Sequence, residues 1–287
     1  MSDRKENQFI QYVRYDLYQG FVLKWKRYIF FLIFVIYLCV GFMMKHRNVM
    51  IFSGLEQSLS AGDFILYILK GMRFYQPSSM DIYIPNFVWI FIFMYIDFSV
   101  AYYPLKDLYG YGQQLLLQSK QRRYWWFSKC IWTIWSVVVF YFIIIMSAFI
   151  CGMITGNVSI LPQTGIQAYY HQIDVRFINS FHFVFSAIIC PIFVTAAMSL
   201  FQMMWSTLVH PLIGLIITAS IYIMSIYFSW PWMLGNYLML MRNHMVNETS
   251  QILTEKGLLY SLIIILCSGF IGYIGFRKKD ILAGHSE

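Results

Sequence analysis

The sequence predicts an all-α membrane protein with six transmembrane helices, an N-terminal amphipathic interfacial helix, and short outer helices between spans five and six. Three observations carry this reading: composition, the spacing of the apolar runs, and the placement of the cations. Of 287 residues, 59% are hydrophobic and only 12% are charged, with a mean hydropathy of +0.60. A soluble chain is nearer about 45–50% apolar and about 25% charged. No single water-soluble domain of this length can hide so many Phe, Tyr, Ile and Leu side chains. A soluble enzyme, a disordered chain and a disulfide-stapled secreted domain are thereby excluded. The cysteines (Cys39, Cys130, Cys151, Cys190 and Cys267) all lie in or beside apolar runs and form no CxxC.

Two units are expected: residues 1–27, a cytoplasmic elbow, and residues 28–287, the membrane domain. In the first, Phe9, Val13, Leu17 and Phe21 recur every four residues, with Tyr12 beside them and Gln11, Arg14 and Gln19 on other faces. That period predicts an amphipathic helix lying in the interface, leading through Lys24, Trp25, Lys26 and Arg27 into the first span. Crossing ~30 Å of hydrocarbon takes about 20 apolar residues in a helix. Six stretches qualify, near Tyr28–Met44, Phe87–Tyr103, Cys130–Ile154, Ile178–Met204, Leu212–Leu234 and Leu258–Phe276. The first lacks a small-residue cleavage site and is expected to be retained.

Placing the N-terminus inside puts fourteen cations on the cytoplasmic side and seven outside, which predicts both termini in the cytoplasm of a cell membrane. Trp25, Trp89, Trp125, Trp126, Trp205, Trp230 and Trp232 fall near the proposed span ends, where amphipathic rings prefer to sit. The clustering of cations beside apolar runs argues for a bilayer partner and against nucleic acid. In the outer segment Lys45–Asn86, Ser60–Arg73 is expected to form a helix on or in the outer leaflet. After span five, Trp230-Pro231-Trp232 breaks the helix, and Tyr237–Val246 is expected to form a short re-entrant or interfacial helix.

Motifs for chemistry are lacking. There is no GxxxxGK[ST], HExxH or GxSxG, and the six histidines are scattered, so neither a catalytic site, a metal nor a cofactor is expected in this chain. Gly110-Tyr111-Gly112 has the letters of a potassium filter, but Leu108-Tyr109 precedes it and the cation bias places it inside, which removes the channel scaffold. Asp97 is the one carboxylate well inside a span. It is either a polar point on a translocation path or a structural group paired to Tyr, Ser or backbone on a neighbouring helix. Pro191 is expected to bend span four.

The long inner segment, about 105–126, is the most informative. Gly110 and Gly112 loosen the backbone, a helical turn around Gln113–Gln118 presents Leu115, Leu116 and Leu117, and Lys120, Arg122 and Arg123 follow before the aromatic entry to span three. Together with the elbow helix Phe9–Phe21, the six spans and the outer segment Trp232–Val246, this layout resembles the type-two family of ABC-transporter permeases. The match is topological over nearly the whole chain and most specific from Gly110 to Lys129. It departs from the family where Gln113 or Gln114 replaces the acidic residue often found ahead of that run, and in the middling length of the first outer loop.

The resemblance implies a membrane subunit that exports a peptide, drug-like or lipid-like molecule. It implies a second permease, identical or homologous, and cytoplasmic ATPase subunits that hold ATP and Mg. It further implies that Gln113, Gln114, Leu115, Leu116, Leu117, Lys120, Arg122 and Arg123 form the contact with the ATPase. The competing classes are a membrane-embedded enzyme or enzyme-assembly subunit acting on lipid or peptide, and a stand-alone channel or immunity protein.

Overall fold

The computed structural model describes residues 2–53, 57–75, 85–119, 121–171, 179–244, 246 and 250–279. Its described residues are helices joined by turns: α1 (Ser2–Leu17), α2 (Trp25–Ser53), α3 (Ala61–Leu69), α4 (Phe87–Leu108), α5 (Tyr111–Ser119), α6 (Arg122–Thr155), α7 (Thr164–His171), α8 (Ser180–Leu208), α9 (Pro211–Tyr227) and α10 (Thr254–Lys278). Five of them, α2, α4, α6, α8 and α10, are long and apolar enough to cross a membrane. The expected fifth span, α9, is a shorter apolar helix of 17 residues. It ends at Tyr227, not at the expected Leu234, and the segment with Trp230-Pro231-Trp232 turns back on itself. A proline there has no amide to offer and disfavours α geometry in the residue before it.

α8 is the central helix, packing against α4, α6, α9 and α10. Pro191, expected to bend it, follows a π-turn at Phe185–Ile189, the local widening by which a helix absorbs a missing amide. Asn86 and Asn179 cap α4 and α8 by accepting from the amides of Trp89 and Phe181. For reference, the proximal end is the one carrying α1 and α5, and the distal end carries α3 and α7.

α1 forms as the four-residue period predicts, but its inward face differs. The buried residues are Tyr12, Asp16 and Gly20, while Phe9, Val13, Leu17 and Phe21 are only half-buried. Burial of Asp16 against a lysine outranks the apolar stripe, and this turns the helix by about one residue. A π-turn at Tyr18–Val22 continues α1, and Gly20 lies so close to the Trp132 indole that a Cβ there would stand 1.9 Å from Nε1. Arg27 Nη2 donates to the Gly20 carbonyl and Nη1 to the Ser99 carbonyl, which fixes the entry angle of α2.

The distal loops are more enclosed than a leaflet-bound reading suggests. α3 buries Ala61 to Leu66, Ile68 and Leu69, packing on α6 and α2. Its Ser60 and Asp63 form a capping box, and the second Asp63 oxygen accepts the Gln163 amide at 2.9 Å and the Gln167 side-chain amide. Burial raises the Asp63 carboxyl above its ordinary range, with these donors opposing. The helix expected at Tyr237–Val246 is replaced by two short 3₁₀ turns, Leu234–Leu238 and Leu240–Arg242, whose residues are almost all buried.

Candidate functional site

The proximal end gathers charge that the sequence did not place together. Lys129, about two turns inside α6 and 1% exposed, bridges Asp16 of α1 and Asp107 of α4, the latter at 2.6 Å. Tyr103 Oη donates to Asp16 Oδ1 at 2.8 Å, Tyr15 Oη donates to Asp107 Oδ1 at 2.9 Å, and Trp125 Nε1 donates to Asp107 Oδ2 at 3.0 Å. The ammonium also lies over the Tyr103 ring, 4.6 Å from its centroid. Two carboxylates against one ammonium leave the cluster formally negative, and Asp16 Oδ2 is buried without a hydrogen-bond partner among the described residues. Burial pushes the Asp16 carboxyl above its ordinary range, with Lys129 and Tyr103 among the groups opposing.

Gly110-Tyr111-Gly112 finds its explanation in this cluster. A Cβ at Gly112 would sit 2.1 Å from Asp107 Oδ2, so the glycine lets α5 close over the carboxylate. The Tyr111 ring then meets that of Tyr15 at 5.7 Å. α5 is also bound to α1, because Tyr12 Oη donates to the Leu115 carbonyl at 3.0 Å and lies 2.6 Å from Ser119 Oγ. A groove of about 350 Å³ runs between the two helices, lined by Gln8, Gln11, Tyr12, Tyr15, Tyr111 and Leu115 among others.

The expected contact residues divide by face. Leu116 is 3% exposed and packs among Tyr12, Leu108, Trp125 and Phe276, so it belongs to the interior rather than to a protruding surface. Leu115 and Gln113 are half-buried, whereas Gln114 and Leu117 are exposed. Arg122 Nη1 donates to the carbonyls of Arg277 and Lys279, both at 2.7 Å, and holds the C-terminal end of α10. Arg123 lies over the Tyr124 ring at 4.8 Å. Lys120 lies outside the described residues. Of the expected contact residues, those that face outward are therefore Gln114, Leu117 and Arg123.

Asp97 sits elsewhere, in the middle of the bundle. It is fully buried on α4, accepting from Ser199 Oγ of α8 at 2.6 Å and from Tyr222 Oη of α9 at 2.8 Å. Both oxygens are occupied, and the group ties three helices together, as the structural alternative requires. Asp97→Leu, which leaves both hydroxyls without their acceptor, is expected to lose about 1–3 kcal/mol. Asp97→Asn keeps an acceptor and is expected to lose less than half of that. Thermal unfolding of the detergent-purified variants measures both, and equal losses would instead show that the ionic charge holds the three helices.

The distal end holds a second buried cation, one that reads in sequence as an outer-loop charge. Arg242 is fully buried; Nε donates to the Met72 carbonyl at 3.1 Å and Nη2 to those of Arg73 at 2.9 Å and Ile226 at 2.7 Å. Nη1 donates to Asn236 Oδ1 at 2.6 Å and to the Ser225 carbonyl. The guanidinium thus joins the end of α9, the 3₁₀ turns and the strap after α3. Among the described residues no group of three or more His, Cys, Asp or Glu is placed to hold a metal ion.

A family model described as a protein of unknown function, DUF2705, matches residues 55–282. Nothing among curated proteins or solved structures matches the chain. The chain belongs to the DUF2705 family.

Proposed function

We propose that this DUF2705 protein is a six-span permease subunit with both termini in the cytoplasm. In this reading α9 is the fifth of the six spans, α1 is the interfacial elbow, and the proximal end faces the cytoplasm. A second permease and cytoplasmic ATPases complete the transporter, and the ATP and Mg sit on those ATPases. The observation that carries the reading is the placement of α5. A short helix between two long apolar ones projects Gln114 and Leu117 outward while its other face is fastened to α1, α4 and α6 through Leu116, Tyr12 and the Lys129 cluster. A chain without a nucleotide site must receive work through a surface, and a helix held rigidly from behind can pass a push to three others.

The alternative of a membrane-embedded enzyme needs polar groups converging at one depth and open to substrate. Asp97 is closed off by Ser199 and Tyr222, and it supplies no such group. The contact surface is narrower than the whole segment: Leu117 enters an apolar notch on the ATPase, and Arg123 meets its acidic rim.

The double substitution Leu117→Asp with Arg123→Glu is expected to leave yield and thermal stability unchanged. It is expected to lower both copurification with the partner ATPase and transport-coupled ATP hydrolysis by about tenfold, the equivalent of ~1.4 kcal/mol. Full coupling in that variant, or a wild-type chain that is active without any ATPase, overturns the proposal.

A further inference from the structure

The distal half of the α2–α6 seam contains a groove of about 590 Å³ that the described protein leaves empty. Its walls are apolar, with Leu32, Ile36 and Val40 on α2 facing Ile150 and Ile154 on α6. Ser147 Oγ, on the same wall, is buried and has no hydrogen-bond partner among the described residues. From Leu32 to Arg47 the groove follows fifteen residues of helix, or about 22 Å, enough for one leaflet's ~15 Å of hydrocarbon with a lip beyond it. At that lip the chemistry changes.

His46 is committed to the protein, with Nε2 2.8 Å from the Gln57 carbonyl oxygen and Nδ1 3.4 Å from Tyr170 Oη. Arg47 is different. It lines the groove, it is exposed, and it makes no hydrogen bond or ion pair among the described residues. Lys45 stands beside it, its ammonium 5.3 Å from the Tyr170 ring centroid, and the ion pairs among the described residues all belong to Lys129. An apolar trough with, at one end, a guanidinium that has no carboxylate partner among the described residues is complementary to a molecule with a hydrocarbon tail and an anionic head.

We infer that this groove is a binding site for one anionic phospholipid, an acyl chain lying along α2 and α6 and the phosphate on Arg47. The inference requires only that these helices lie in a bilayer and is independent of the permease reading. A second copy of the chain is the competing occupant. A two-fold interface through the groove brings the Arg47 and Lys45 side chains of two copies toward each other, and like charges disfavour it.

The test uses the full chain in nanodiscs of equal phosphatidylglycerol and phosphatidylcholine, released into detergent for native mass spectrometry. The wild-type protein is expected to retain phosphatidylglycerol over phosphatidylcholine by about tenfold. Arg47→Gln, at an exposed position without bonds to lose among the described residues, is expected to bring that ratio close to one. Val40→Trp, which fills the trough, is expected to lower retention of both lipids together. Equal retention by the wild-type protein, or an unchanged ratio in Arg47→Gln, overturns the inference. So does efficient disulfide cross-linking between two copies carrying Val40→Cys, which would give the groove to a neighbour.

Discussion

Replacing Lys129 with methionine is expected to destabilise the protein by about 3–5 kcal/mol, the cost of removing one partner from a buried ion pair. Lys129 is held between two carboxylates at 2.6 Å or closer and is 1% exposed, so water cannot take over its role. Loss of the ammonium leaves Asp16 and Asp107 facing the same empty space. The triple variant Asp16→Asn, Asp107→Asn, Lys129→Met removes the stranded charges and is expected to recover most of the loss. Thermal unfolding in detergent, followed by size-exclusion chromatography, reads both. A triple variant no better than Lys129→Met would mean that packing of the lysine stem, not charge, is what matters.

The same cluster sets a pH dependence. Asp16 is raised in the folded protein, chiefly by burial. From about pH 4, where an unfolded aspartate titrates, up to its raised value, the folded state therefore binds more protons than the unfolded one. Stability contributed by this group is present at low pH and lost as pH rises through that window. Melting midpoints of wild type are expected to fall more steeply with rising pH than those of Asp16→Asn. Parallel profiles would remove Asp16 as the cause.

Arg242→Met is the second large effect, again expected at about 3–5 kcal/mol. Five oxygens lose their donor at once, from Met72, Arg73, Ser225, Ile226 and Asn236. Each buried acceptor left unsatisfied costs about 1–3 kcal/mol, and relaxation keeps the sum below full additivity. Arg242→Lys keeps the charge but not the planar fork, and is expected to recover less than half of the loss. Protease sensitivity between α3 and α4 should rise along with the loss of stability, because the strap at Met72 and Arg73 is released. A lysine variant as stable as wild type would show that charge alone suffices.

The helices were legible because each apolar run advertises itself locally, and α2, α4, α6, α8 and α10 cover the runs expected for spans one to four and six. The expected span five runs past the end of α9 at Tyr227, since Phe228, Trp230 and Trp232 read as apolar while Pro231 ends the helix geometry. Side-chain partners were legible only where residue type leaves few choices. Asp97 needed Tyr or Ser donors and found one of each. Lys129 reads in sequence as one more orienting cation, because nothing in its neighbourhood indicates that Asp16, 113 residues earlier, would meet it. Arg242 was still further from reach, since four of its five acceptors are main-chain carbonyls, which every residue possesses. Leu115, Leu116 and Leu117 read alike in sequence, yet a helix separates neighbours by ~100°, so Leu116 turns inward and Leu117 outward.

The two buried cations also differ in when they can be satisfied as the chain is made. Lys129 looks back to Asp16 and Asp107, so the proximal lock can close while everything after α6 is still to be synthesised. Arg242 reaches back 170 residues to Met72 but needs Ser225, Ile226 and Asn236 as well. The distal lock therefore cannot close until α9 has been made and its exit turns have formed. One end of the protein can assemble early around an ammonium, while the other remains open until nearly all of the chain has emerged.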